Sequence, residues 1–302
     1  MKNIIERIKR LKQEKQAVIL AHSYQNIEID EVADFVGDSL YLSRKAQETD
    51  AKIIVFAGVY FMAQTAKTIS PDKKVLLPNI NAGCLMADMI DLHQMEDFKK
   101  QHPNIPVVCY INSTAEVKSK CDICCTSSNA LKIVESLNAP KVLFVPDANL
   151  GKWVESKLDG VEVITYQGHC PIHNNVTVDD ILNARKNHPD TKILIHPECK
   201  PEVSALGDYV GSTSGIINYV KNSNEDKFII VTEKGVVDRL RRDYPNKEFI
   251  LISDNMLCES MKLTTLEEIL YSLENETNEI TLDEDVRLAS AECIERMLEV
   301  SV

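Results

Sequence analysis

Glycine is scarce. The 302-residue chain has ten, and none falls in a G-x-G-x-x-G or G-x4-G-K-S/T pattern, so a dinucleotide or ATP cradled by such a loop is not expected. No apolar run approaches about 20 residues, so no membrane-spanning helix is expected. No long Lys/Arg run is present either, and 34 basic against 46 acidic residues give a net charge of −12. A nucleic-acid binder would show a basic face, whereas an acidic surface mainly serves solubility. No segment is of low complexity. The opening MKNIIERIKRLKQEKQ is charged throughout and lacks the apolar centre of a secretion signal. A cytoplasmic location follows as the expectation, with no membrane or nucleic-acid partner.

The chain does hold nine cysteines, and its 44% apolar residues suffice for an ordinary core. Disulfides are rare in the cytoplasm, so metal binding, catalysis or simple burial must account for these thiols. A search for internal repeats finds β-rich runs in three sets, each run followed by a turn and a helical stretch. AVILAHSY, VVCYINST and ILIHPECK form one set. KIIVFAG, KVLFVPD and KFIIVTE form the second, and KKVLLPN, VEVITYQ and EFILISD the third. The runs are short, β-branched and barely alternating, which is how parallel strands covered on both faces read.

Polar anchors keep the same register. His22, Tyr110 and His196 end the first strand of each set, at spacings of 88 and 86. Two residues on stand Tyr24, Asn112 and Glu198, and 12 residues beyond each strand end stands an acid: Asp34, Asp122 and Asp208. Five residues further comes a hydroxyl, Ser39, Ser127 or Thr213, each opening a predicted helix. Cys84, Cys170 and Cys258 follow the third strands at spacings of 86 and 88. The fold class is therefore α/β: three similar three-layer α/β/α domains with parallel sheets, in a pseudo-threefold arrangement about a central site. The predicted units are 1–86, 87–172 and 173–260, with a C-terminal helical segment, 261–302, packing on the first.

In open parallel sheets ligands sit at the carboxyl ends of the strands, where these anchors lie. Three thiolates there fit a tetrahedral zinc with an open fourth position, or an iron–sulfur cubane with one free iron. The all-sulfur set with long intervening loops favours the cluster. Buried hydrophobic cysteines are the plainer reading of lone thiols, but these three lie in loops between strand and helix. Cys121, Cys124 and Cys125 form a rival C-x2-C-C. By the repeat, Cys124 and Cys125 stand where Val36 and Gly37 stand, which marks them as packing positions at a turn. Cys109, Cys199 and Cys293 show no pattern. The hydroxyls suit ordinary capping and also anion binding at helix N-termini. His22, Tyr24, Tyr110, Asn112, His196 and Glu198 supply acid–base and orienting groups, and His173 follows Cys170 closely enough to orient substrate or cluster.

The segments ILAHSYQ, ADFVGDSL, NAGCLMAD, INST, CTSSNAL, PDANLG, GHCPIH, IHPEC, DYVGSTS and MKLTTLEE resemble the quinolinate synthase family of NAD biosynthesis over nearly the whole chain. Ser23 departs from the Asn expected between His22 and Tyr24, and Cys258 stands alone where some members carry C-x2-C-x2-C. The resemblance implies a [4Fe–4S] cluster on Cys84, Cys170 and Cys258, with an open iron acting as Lewis acid. It implies condensation of iminoaspartate with dihydroxyacetone phosphate to quinolinate, releasing phosphate and water, and leaves room for an L-aspartate oxidase as transient partner. It places His22, Ser39, Tyr110, Asn112 and Ser127 on carboxylates. Ser212 and Thr213 would hold phosphate or a late carboxylate. Tyr24 and Glu198 would transfer protons, assisted by His196 and Tyr110, with His173 orienting. Rival readings are a cluster-dependent dehydratase of another small dicarboxylic acid, a zinc lyase, or an anion-binding sensor on the same scaffold.

Overall fold

The computed structural model describes residues 2–301, which form three four-stranded, wholly parallel sheets. The first unit contains β1 (Ala17–His22), β2 (Phe35–Gly37), β3 (Ile53–Ala57) and β4 (Lys74–Leu76), in the spatial order β2-β1-β3-β4. The second contains β5 (Val107–Tyr110), β6 (Ile123–Cys125), β7 (Lys141–Val145) and β8 (Glu162–Thr165), in the equivalent order. The third repeats it with β9 (Lys192–Ile195), β10 (Tyr209–Val210), β11 (Lys227–Val231) and β12 (Glu248–Leu251). Helices join successive strands, as parallel pairing demands. The central strands are buried on both faces, which explains their unbroken apolar runs.

Each unit has one strand more than the sequence reading assigned. The segments before the helix-start hydroxyls, read as turns, form the edge strands β2, β6 and β10. At two or three residues they are too short to show periodicity. Cys124 and Cys125 are accordingly strand residues, paired with Cys109 and Tyr110.

The repeated acids explain how such short strands hold. Asp34 accepts the backbone N–H of Ile19 at 2.8 Å, Asp122 that of Val107 at 2.7 Å and Asp208 that of Ile193 at 2.9 Å. The acid's own N–H returns a bond to the same residue's carbonyl in all three units. Each clasp pins the edge strand in register beside the first strand, so the turn after it reaches the same place in every unit.

The first two units share one continuous apolar core that includes Phe56, Val108, Phe144 and Met297, whereas the third has its own clusters around Ile193 and Phe228. The helix Leu266–Asn275 packs against the N-terminal helix Lys2–Glu14 through Leu266, Ile269, Ile5 and Ile8. The last helix, Glu284–Val300, belongs to the segment expected to pack on the first unit. It lies against both β6 and the first-unit helix Tyr60–Ile69, because its buried Cys293, Ile294 and Met297 close the core the two units share. Among the described residues no helix is long and apolar enough to cross a membrane.

Truncating a clasp leaves a strand N–H without its charged acceptor. Asp122→Ala should lower unfolding free energy by about 1–3 kcal/mol, read as a reduced denaturant midpoint at unchanged slope. An unchanged midpoint would show that the clasp carries no stability.

Candidate functional site

The carboxyl ends of the three sheets face one cavity of about 390 Å³. The first unit lines it with His22, Tyr24, Ser39 and Cys84, and the second with Tyr110, Asn112, Ser127 and Cys170. From 173 onward come His173, His196, Glu198, Thr213 and Cys258. Ser212 does not line it. Its buried Oγ accepts the N–H of Gly215 at 3.1 Å and caps the helix Thr213–Asn222, shaping the turn instead of the cavity.

Ser39 and Thr213 are the first residues of their helices, capped by Asp38 and Ser212. Ser127 lies in the turn ahead of the helix Ala130–Ser136. Such starts carry backbone N–H groups without intrahelical partners, and with them the positive end of the helix dipole. The three turns also touch one another. Ser128 Oγ donates to Asp38 Oδ2 at 2.8 Å and lies 3.2 Å from Ser214 Oγ, so two hydroxyls and a carboxylate link the turns of all three units.

Repeat geometry sets the histidine tautomers. Nδ1 of His22 accepts the N–H of Tyr24 at 3.1 Å, and Nδ1 of His196 accepts that of Glu198 at 3.3 Å. The proton of each neutral ring then sits on Nε2. Burial lowers His22 to about 4 and His196 to about 3, so both stay neutral donors at ordinary pH.

Glu198 is the buried charge at the centre. Its Oε1 accepts from Tyr110 OH at 2.6 Å, and its Oε2 lies 2.8 Å from His173 Nδ1. Burial pushes the carboxyl upward, but the hydrogen bonds it accepts from His173 and Tyr110 act against it, and the net shift is downward, toward the ionised form. Tyr24 is pushed the other way, chiefly by burial and then by Glu198, and keeps its proton. Its hydroxyl lies 3.0 Å from both Thr213 Oγ1 and Thr232 Oγ1, and Thr232 Oγ1 lies 3.0 Å from His173 Nε2. A hydrogen-bonded line therefore runs Tyr24–Thr232–His173–Glu198–Tyr110.

The three cysteines are half-buried free thiols. Burial raises Cys84 to about 12 and raises Cys170 and Cys258 as well, with Cys84 and each of the other two adding mutual repulsion. Metal binding to such a set would release these protons. Among the described residues the only group of ligating atoms gathered within 4.8 Å is Cys170, His173 and Glu198, so the three cysteines stand wider apart. Thiolates on one tetrahedral zinc would lie about 3.8 Å from each other, given Zn–S bonds near 2.3 Å. The three thiols as they stand are thus not gathered for one such ion, whereas the thiolates of a cubane sit on separate iron corners.

The rival thiols lie away from the cavity. Cys124 Sγ is 3.2 Å from Cys293 Sγ, and Cys109 faces both Cys121 and Cys124, all in the shared core. No sequence pattern linked Cys109 and Cys293 to this group, because Cys293 arrives on the last helix. Beside them Lys118, fully buried, donates to Ser113 O at 2.7 Å and lies 3.0 Å from Thr65 Oγ1, joining the second unit to the first.

Three site residues escaped the sequence reading. Thr232 links Tyr24 to His173. Glu233, fully buried, accepts the N–H of Cys258 at 3.2 Å and pairs with Lys262 Nζ at 3.0 Å. Lys262 also donates to the carbonyl of Tyr24, tying Cys258 to the first-unit loop. A signal existed: KVLFVPD and KFIIVTE end in the equivalent acids Asp147 and Glu233, both buried.

A family model described as quinolinate synthetase A protein matches residues 6–299. A quinolinate synthase of Alkaliphilus metalliredigens (strain QYMF) is 52% identical over 298 residues, covering 99% of this chain and 98% of that protein. One from Dehalococcoides mccartyi (strain ATCC BAA-2266 / KCTC 15142 / 195) is 49% identical over 298 residues, with the same coverage. One from Methanosarcina barkeri (strain Fusaro / DSM 804) is 47% identical over 299 residues, again covering 99% and 98%. The chain belongs to the quinolinate synthetase A family.

The buried neutral histidines carry a pH signature. Unfolding lets His22 bind a proton below its ordinary 6.5, which the folded chain resists until about 4. Its stabilising contribution is complete above pH 6.5 and is lost on acidification toward 4, roughly 3 kcal/mol from this residue alone. Denaturant unfolding of the cluster-free chain at pH 7 and 4.5 measures the slope, which His22→Asn should flatten. An equal slope in both proteins would remove His22 as its source.

Proposed function

We propose that, as a member of this family, the chain is a quinolinate synthase that condenses iminoaspartate with dihydroxyacetone phosphate, releasing phosphate and water. The observation that carries the reading is the convergence of Cys84, Cys170 and Cys258, one from each repeat, on a cavity also lined by acid–base and anion-binding groups. A [4Fe–4S] cluster on these cysteines would supply a Lewis-acidic iron with an open position. Leu85 and Leu257, exposed beside Cys84 and Cys258, would screen it from water.

The chain's own residues do the rest. His22 and His196 aim neutral Nε2–H donors into the cavity, and with Ser39 they suit a carboxylate of iminoaspartate. The side chains of Asn112 and Ser127 suit the second carboxylate, beside Tyr110, whose proton goes to Glu198. Asn112 Oδ1 is buried without a partner, an acceptor open to a hydroxyl or N–H of a ligand. Thr213, at its helix start, suits the phosphate or a carboxylate late in the cycle, and Ser212 contributes by fixing that turn.

Proton transfer falls to two groups in opposite states. Glu198 is an ionised base and Tyr24 a protonated acid, the separation that acid–base chemistry at one site requires. Thr232 and His173 link them by hydrogen bonds, so the two groups sit in one continuous network shielded from bulk water. Tyr110 holds the other carboxylate oxygen and His196 orients the pair. Isomerisation, ring closure and dehydration are additions and eliminations, so no net electron transfer is required. The imine substrate is hydrolytically labile, and an L-aspartate oxidase would be its transient source.

Anaerobic preparation should yield about four irons and four sulfides per chain, with quinolinate formed on turnover. One zinc in their place would select a zinc lyase instead. Single Cys→Ala changes at 84, 170 and 258 should each abolish both the cluster absorption and activity. Glu198→Gln should retain iron and sulfide but lower kcat by on the order of 100-fold or more. Normal turnover in that variant would remove Glu198 as the base.

A further inference from the structure

Cys170, His173 and Glu198 form a second kind of metal site, independent of the other two units' cysteines. His173 Nδ1 lies 3.3 Å from Cys170 Sγ and 2.8 Å from Glu198 Oε2. All three ligating atoms fall within 4.8 Å of one another. Tetrahedral zinc sites place such atoms about 3.3–3.6 Å apart, given bonds of about 2.0–2.3 Å, so small movements would open the site. The outward-facing atoms are already held. His173 Nε2 is 3.0 Å from Thr232 Oγ1, and Glu198 Oε1 takes the Tyr110 proton at 2.6 Å. Partners of this kind fix the orientation of metal-binding imidazoles and carboxylates.

We propose that the cluster-free chain binds one soft divalent cation of the zinc class at Cys170, His173 and Glu198, and that this ion blocks cluster assembly by occupying Cys170. Charge favours this set over the three cysteines for a single ion. A dication with one thiolate and one carboxylate is neutral, which suits a buried place, whereas three thiolates leave an excess negative charge beside ionised Glu198. The proton balance is simple. Cys170 loses its thiol proton to solvent, and the His173 proton moves from Nδ1 to Nε2, where Thr232 can accept it. The metal takes the freed Nδ1, Sγ and Oε2, and its fourth position faces the cavity. No oxidation or reduction is involved.

The test is an anaerobic titration of the full cluster-free chain with Cd²⁺ and then Zn²⁺. One tight ion per chain is expected, with sulfur-to-cadmium absorption of one thiolate, about a third of that of a three-thiolate site. Cys170→Ala should weaken binding by on the order of 100-fold and Thr232→Val by about 10-fold, while Cys84→Ala and Cys258→Ala leave it unchanged. Zinc-loaded protein should fail to take up iron and sulfide until a chelator is added. Three-thiolate absorption in the unaltered chain would overturn the assignment without reliance on any variant. So would equal losses in Cys84→Ala and Cys170→Ala, or unchanged binding in Cys170→Ala. Cluster uptake at an undiminished rate by zinc-loaded protein would overturn the block.

Discussion

Three carboxylates hold the architecture in phase. Asp34, Asp122 and Asp208 each accept a strand N–H 15 residues back and return one of their own to the same residue. Edge strands of two or three residues have little cohesion alone. The clasp supplies it and fixes where the following turn emerges. Ser39, Ser127 and Thr213 then arrive at one cavity because the same loop geometry is executed three times. Were a clasp to slip by one residue, the side chains of that edge strand would exchange faces and the hydroxyl after it would leave the cavity.

Within that frame the units are not equal. The first two share a core and are joined across it by the last helix and by buried Lys118. The third meets the first through polar contacts instead. Arg239, buried, donates to the carbonyls of Ser23 and Gln25 at 2.8 and 2.9 Å, and Lys262 bridges Glu233 to Tyr24. These contacts land on the loop after His22. The position of Tyr24 in the cavity therefore depends on the third unit as much as on its own sheet.

Electrostatics distribute the chemistry. One buried carboxylate, Glu198, is kept charged by donors from the second unit and from the segment after Cys170. His22, His196 and the hydroxyls of Tyr24 and Tyr110 stay neutral because charging them in the same space is costly. The result is one base, several proton donors and three protonated thiols in a single cavity. The Cys170–His173–Glu198 geometry proposed to serve proton transfer is also the proposed trap for a lone dication.

Much of this was legible in the chain itself. Spacings of 86 and 88 residues exposed the repeat, and any side chain placed at equivalent strand ends must converge if the repeats surround one centre. That reasoning reached the three cysteines, the histidines, Tyr24, Tyr110, Asn112 and Glu198. Ser212 is less direct, because a cap and a ligand-binding hydroxyl look alike in sequence, and its Oγ accepts the N–H of Gly215. Edge strands as short as β10 carry no period to read. Contacts between residues far apart in the chain left no local trace: Thr232 between Tyr24 and His173, Lys262 on Tyr24, Cys293 against Cys124. The sequence determined which chemistry each unit brings, since that is written in residue type and spacing. Only the tertiary structure decided which groups share protons and charge, since that depends on distances of about 3 Å between separate units.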